Sequence, residues 1–394
     1  MPPVTAPHNP STPSSPSNFS FKASRPSLPR SLQRVLAKLL THPLVVPLIS
    51  YAYAAPFLIL WARVRLASFL KGKKMLAPIA PTDDVAAALL NKEYGAHKYL
   101  EANGLRFHYV EAGHPSSTSP LVLFLHGFPE FWYSWRHQLQ FLGSRGFHAV
   151  ALDMRGYGWT DKPEEIASYN LEELVQDVSA VIDCLGYGPR EDGTPGGGCL
   201  LIGHDWGGLV AWAAAHVLGP RWVRGLCVMN CPHPTAFMTQ AGLSQFFKSW
   251  YFYFFQVPFL PETMLGAGEW TWIGASFRGK RMGLQRPDAR MTDTDLLVMK
   301  HGFSQPGVAR AAVNYYRANM FRRKEETMEE ALAGRVPVPV LVIWGQQDKA
   351  LEEILVDGTE NHVAHGDKGG GKEGCAWSRS RTPAIGCRWM LLQK

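Results

Sequence analysis

Acidic residues are missing from the first 82 positions of this 394-residue chain, although ten Lys or Arg occur there. From Thr359 onward six basic residues face three acidic ones, so the formal charge of +7 comes from the two ends and the middle is acidic on balance. Basic character confined to the periphery argues for a membrane-proximal segment and against a nucleic-acid-binding body. Cysteine is scarce as well. The six residues at 184, 199, 227, 231, 375 and 387 include no Cys-x-x-Cys pair, which excludes a disulfide framework and a zinc site and leaves buried thiols in a reducing compartment. The first thirty residues have few apolar side chains among many Pro and Ser, so they are expected to be disordered.

What is present begins with an uncharged run of 19 residues, Leu44 to Ala62. About 20 apolar residues cross a bilayer core, and Pro47 and Pro56 are tolerated in such helices. The run starts too far from the terminus for an ordinary signal peptide. We expect an uncleaved single-pass anchor, most simply in the endoplasmic reticulum, with a hydrophobic helix packed on the body of the protein as the alternative. Arg25, Arg30, Arg34 and Lys38 precede the run and Arg63, Arg65, Lys71, Lys73 and Lys74 follow it, a slight excess that would leave the following domain cytosolic.

From about Lys98 strand and helix signals alternate. Leu105 to Glu111 reads as an exposed strand; Leu121 to Leu125 and His148 to Leu152 are short apolar runs suited to parallel strands buried on both faces. Asn170 to Leu185 has helical periodicity, and Leu200 to Ile202, Leu226 to Asn230 and Val338 to Trp344 are further strands. This order predicts an α/β doubly wound sheet. About ninety residues between Cys231 and Thr327 break the rhythm with helical, aromatic-rich sequence and read as an inserted cap, while Pro189 to Gly198 reads as a surface loop.

The most informative stretch is Gly203-His204-Asp205-Trp206-Gly207-Gly208, between a strand and a helix. It has the spacing of a nucleophile elbow with aspartate in place of serine. A carboxylate there would attack a saturated carbon and leave an alkyl ester for water to cleave. His126-Gly127-Phe128-Pro129-Glu130 follows the first buried strand, and backbone N–H groups of Phe128 and Trp206 would form an oxyanion hole. Asp153 to Gly158 reads as a structural loop with Arg155 paired to a carboxylate. Asp348 follows the strand that ends at Trp344, on the side of the sheet where the elbow opens.

Through HGFPEFWYSW (126–135), DMRGYG (153–158), GHDWGG (203–208), YFFQVP (253–258), FSQPG (303–307), NYYR (314–317) and WGQQD (344–348), the chain resembles the epoxide hydrolases of the α/β-hydrolase superfamily, nearest the membrane-anchored animal-type members, over roughly residues 90–356. The resemblance implies an α/β-hydrolase fold divided as 1–43 arm, 44–62 anchor, 90–231 first half of the core, 232–328 cap, 329–358 truncated second half and 359–394 unrelated, disordered tail. It implies Tyr251 and Tyr316 as cap acids over the ring oxygen, Asp348 as the carboxylate that orients a base histidine, a small apolar epoxide as substrate, and neither metal nor organic cofactor. The family's Gly-His-Trp-like turn, some 25–30 residues past the acid, has no counterpart. His362 and His365 lie 14 and 17 residues beyond Asp348, too close for an intervening helix and strand; His233 sits where the cap begins, and His204 is only a neighbour of the nucleophile. The last strand and helix of the sheet are therefore expected to be missing, and ester cleavage is expected to suffer. Two other readings stay open: a haloalkane dehalogenase, which also uses an elbow aspartate, and a catalytically inactive, membrane-anchored binding protein.

Overall fold

In the computed structural model, residues 32–364 and 375–380 are described, apart from 33–34, 37–38, 71, 73, 75, 117–118, 191–195, 281, 284–290 and 322–325. The expected disordered arm falls almost wholly outside the described residues. The chain opens with a long helix α1 (Val45–Leu70) and a short α2 (Asp83–Leu89), the latter capped by the Thr82 hydroxyl. Strands β1 (Ala96–Ala102) and β2 (Leu105–Ala112) form a hairpin through Asn103 and Gly104, both at positive φ (45° and 71°). That Asn-Gly turn matches the right-handed twist of the strands it joins. The hairpin corrects two expectations. Strand β1 was not anticipated, and β2 is buried from Phe107 to Glu111. Its polar members find partners: His108 Nδ1 bonds Asp153 at 2.8 Å, and Glu111 meets Lys98 at 2.5 Å and His148 at 3.0 Å.

Strand β3 (Leu121–Leu125), helix α3 (Arg136–Gly143), strand β4 (His148–Leu152), helix α4 (Leu171–Cys184), strand β5 (Cys199–His204), helix α5 (Trp206–Leu218) and strand β6 (Val223–Met229) follow in alternation. Every residue of β3 and β4 is buried. A core aliphatic side chain contributes about 1.5–3 kcal/mol of transfer free energy, so these two central strands anchor the sheet. Between β6 and β7 (Val340–Gly345) the described elements are all helical: α6 (Pro234–Gln240), α7 (Leu243–Lys248), α8 (Trp250–Phe254), α9 (Leu260–Arg278, broken at Ala267–Trp270), α10 (Asp293–Phe303), α11 (Val308–Asn319) and α12 (Glu326–Ala333). They are the inserted cap and the return to the sheet.

The strand order is β1-β2-β4-β3-β5-β6-β7-β8, with β2 antiparallel to its neighbours and the rest parallel. The chain passes from β3 to β4 on one side and then from β4 back across β3 to β5 on the other. Such a reversal opens a crevice at the carboxyl ends of the strands. The eighth strand, Cys375–Ser380, overturns the expectation that the sheet loses its last strand: it pairs in parallel with β7, from Val340 opposite Cys375 to Gly345 opposite Ser380. An edge strand need not be a continuous apolar run, which is why Cys-Ala-Trp-Ser-Arg-Ser gave no signal. The start of the tail is also held, because Val363 bridges Val336 and both are fully buried. No helix follows β8 among the described residues.

By length and composition α1 is the one described helix able to cross a membrane. Those properties do not specify an organelle. In the structure one of its sides lies along the cap: Phe57 stacks on Trp250 at 5.5 Å between ring centroids, and Trp61 Nε1 donates to Thr263 Oγ1 at 2.8 Å. The helix thus has the length and composition expected of an anchor and also packs on the body of the protein as the alternative required.

Candidate active site

The crevice is built by three backbone segments that approach too closely for side chains. Asp205 sits between β5 and α5 at φ 52°, ψ −121°, a strained conformation for any L residue. A Cβ added at Gly203 would overlap the Gly207 carbonyl, one at Gly207 would overlap the Leu125 carbonyl, and one at Gly127 would strike Asp205 itself. Glycine is therefore required at these positions for the turn to exist.

Phe128 N–H donates to Asp205 Oδ1 at 2.8 Å, and the Trp206 N–H also bonds this carboxylate. The expected oxyanion pair thus meets at the nucleophile. Burial raises the Asp205 carboxyl above the usual carboxylate range, against the opposing pull of His204 and the two backbone donors. His204 is buried and bonded through Nδ1 to Glu130 Oε2 at 3.0 Å, and the same oxygen accepts from Gly127 N–H at 3.1 Å. His204 and Glu130 therefore brace the loop that carries Phe128.

Both cap tyrosines reach the crevice. Tyr251 on α8 and Tyr316 on α11 have ring centroids 5.8 Å apart, and Tyr316 stands edge-on to Trp206 at 5.0 Å and to Phe128 at 5.8 Å. Burial, followed by the Asp205 charge, raises both phenols, which keeps them protonated donors. Tyr251 also senses the charge of Asp348. Phe255, Trp272 and Phe303 surround Phe128 with centroids at 5.5–5.7 Å, giving the crevice an aromatic wall.

Asp348 reaches the same end of the sheet. Its Oδ2 accepts from Asn230 Nδ2 at 2.7 Å, and Oδ1 accepts from Ala350 and Leu351 N–H at 2.8 and 2.9 Å. Burial raises its carboxyl, and these three donors oppose the shift. Among the described residues no imidazole bonds it. His362 is elsewhere: its ring stacks on His233 at 4.3 Å with a 2° interplanar angle, and His233 Nε2 lies 2.7 Å from His216 Nε2, in the last turn of α5. About ten residues of helix separate His216 from the elbow, roughly 15 Å. His362 and His233 are thus removed from the nucleophile, and His365 lies outside the described residues.

Two contributors escaped the sequence reading. Asn230, at φ 46°, fixes Asp348 and accepts from Gly345 N–H at 3.1 Å; an amide directly after a strand that ends beside the crevice was the available signal. Arg317 in the NYYR run bonds Glu262 at 2.5 Å and the carbonyls of Phe255 and Val257 at 2.9 and 2.7 Å, clamping the segment after Tyr251 to the helix that carries Tyr316. The DMRGYG loop is structural as expected, with Arg155 bonded to Asp177 at 2.8 and 2.6 Å.

A strained elbow at the switch point, two backbone donors and an inserted cap define an α/β hydrolase whose nucleophile position holds a carboxylate. A family profile described as alpha/beta hydrolase fold matches residues 120–356. Epoxide hydrolase 4 of Mus musculus is 39% identical over 282 residues, covering 70% of this chain and 73% of that protein. Epoxide hydrolase 3 of Xenopus tropicalis is 35% identical over 320 residues, 80% of each chain. The crystal structure of epoxide hydrolase VrEH1 from Vigna radiata superposes with a TM-score of 0.59 at 29% identity, covering 75% of this chain and 93% of that one. The chain belongs to the epoxide hydrolases of the α/β-hydrolase superfamily.

Proposed function

We propose that this chain opens a small apolar epoxide by covalent attack of Asp205 and that it releases the product slowly. A free carboxylate oxygen of Asp205 forms a C–O bond to a ring carbon as the ring C–O bond breaks, its electron pair passing to the departing oxygen. Tyr251 and Tyr316 donate hydrogen bonds to that oxygen, and one of them transfers its proton to the more basic alkoxide. The observation that carries this reading is the pair of buried phenols meeting over Asp205. The second half-reaction needs a water to attack the ester carbonyl, whose oxyanion Phe128 and Trp206 N–H would stabilise, and a base to take that water's proton. The three hydrogen bonds on Asp348, none of them from an imidazole, support slow release.

The aromatic wall supports an apolar substrate without polar anchoring. Two protonated phenols favour an alkoxide over a halide leaving group, which weighs against the dehalogenase reading. The long apolar helix supports attachment to a membrane, with lipid metabolism or detoxification as the setting. The test is to incubate the purified chain with a labelled epoxide such as styrene oxide and follow both protein and diol. One label per chain on Asp205, with diol formed far more slowly than label, is the expected result. Many turnovers at the rate of labelling would overturn slow release, and no labelling at all would favour the inactive binding protein.

A further inference from the structure

From Val45 to Ala62 helix α1 is apolar all round, yet the protein covers only one side of it. Val46, Ser50 and Ala54 are buried, and Phe57 and Trp61 pack on the cap. Leu48 and Ile59 on the other side are 72% and 71% exposed. A helix of this composition needs cover on every side. Exposed aromatic rings of the cap lie beside this contact. Trp61 bonds Thr263, Thr263 Oγ1 donates to the Phe259 carbonyl at 2.9 Å, and the Phe259 ring is 81% exposed at a left-handed φ of 61°. At the other end Tyr53 contacts Tyr253, which packs on Phe246, whose neighbour Phe247 is 64% exposed.

We infer that α1 lies along a bilayer surface instead of crossing it, and that its outer side together with Phe247 and Phe259 forms one docking face that holds the cap against lipid. The ring and hydrogen-bond contacts with the cap run from Tyr53 to Trp61, about 12 Å along the second half of the apolar stretch. A crossing helix would pull the cap in with it. Residues 62–70 span only about 14 Å and carry the exposed Arg63 and Arg65, so they cannot cross alone. Charge selects the occupant. The first 82 residues hold ten basic and no acidic side chains, which complements anionic lipid headgroups and opposes a second copy brought face to face. An apolar substrate concentrated in the bilayer would then meet the cap directly.

This deepens the membrane part of the proposed function and is independent of the chemistry at Asp205. The test binds the purified full-length chain to sealed phosphatidylcholine vesicles with and without phosphatidylserine. Phe247→Ser/Phe259→Ser should weaken binding roughly tenfold, since each exposed ring loses its burial in lipid, and phosphatidylserine should strengthen it. Thiols introduced by His42→Cys and Lys74→Cys, each read by mass spectrometry of its own peptide, should both react with an impermeant maleimide from outside. One thiol reacting only after detergent, with the Phe pair silent, would establish a crossing helix and overturn the inference. Concentration-dependent dimers without vesicle binding would overturn it in favour of a second copy. Labelling of Asp205 by a water-soluble epoxide in the Phe pair should equal that of the unaltered chain; absence of labelling in both would sink the chemistry and leave the docking result standing.

Discussion

The two halves of the crevice differ in how completely they are furnished. Around Asp205 the backbone donors have a target, since Phe128 and Trp206 N–H bond the carboxylate, and the Tyr251 and Tyr316 phenols stand beside it. Around Asp348 the carboxylate is equally satisfied, but by Asn230 and its own loop. In the proposed reaction attack and release depend on separate groups, so a chain could retain the first while lacking the second.

That contrast breaks most completely at the nucleophile. Asp205→Asn should lower labelling by an epoxide at least about 10³-fold, measured by intact mass over time. The same variant should be more stable at neutral pH. A folded-state carboxyl raised above its unfolded value favours folding below the unfolded pKa, and that contribution is lost as pH rises through the folded pKa. Removing the charge should raise Tm at pH 7 and leave it unchanged in acid. Equal melting at both pH values would contradict the buried charge. Next in size, Tyr251→Phe/Tyr316→Phe should slow labelling about 10²-fold in single-turnover kinetics while leaving any preformed ester to decay unchanged. A parallel slowing of decay would mean that the tyrosines serve both halves. The smallest effect sharpens the other side: added imidazole should speed ester decay about tenfold without changing labelling. Indifference to imidazole would point to a resident base.

Much of this was legible because it depends on short sequence intervals. Leu121–Leu125 and His148–Leu152 announce buried strands by composition alone, and the elbow announces itself by glycines two residues on either side of Asp205. The rest depends on partners far apart in the chain. Glu262 and Arg317 are 55 positions apart, Asn230 and Asp348 are 118, and Trp61 and Thr263 are 202. A local pattern can mark one member, as the end of a strand marks Asp348, but not the partner it meets. Tyr251 and Tyr316 lay between these cases, since an aromatic stripe such as Trp250 to Phe255 is equally suited to a core, and the family resemblance separated the two. The strand at Cys375–Ser380 was missed because a sheet edge imposes almost no composition.

The missing Cβ atoms at Gly127, Gly203 and Gly207 bear on how such a protein can diverge. Three positions around the reacting carboxylate admit a hydrogen atom and nothing larger, so no substitution there can trim or enlarge the space offered to a ligand. Variation in what is accepted must come from the opposite wall, from Trp272, Phe303 and the helices that carry them. The sheet side holds the chemistry constant, and the cap is the surface on which selection has room to work.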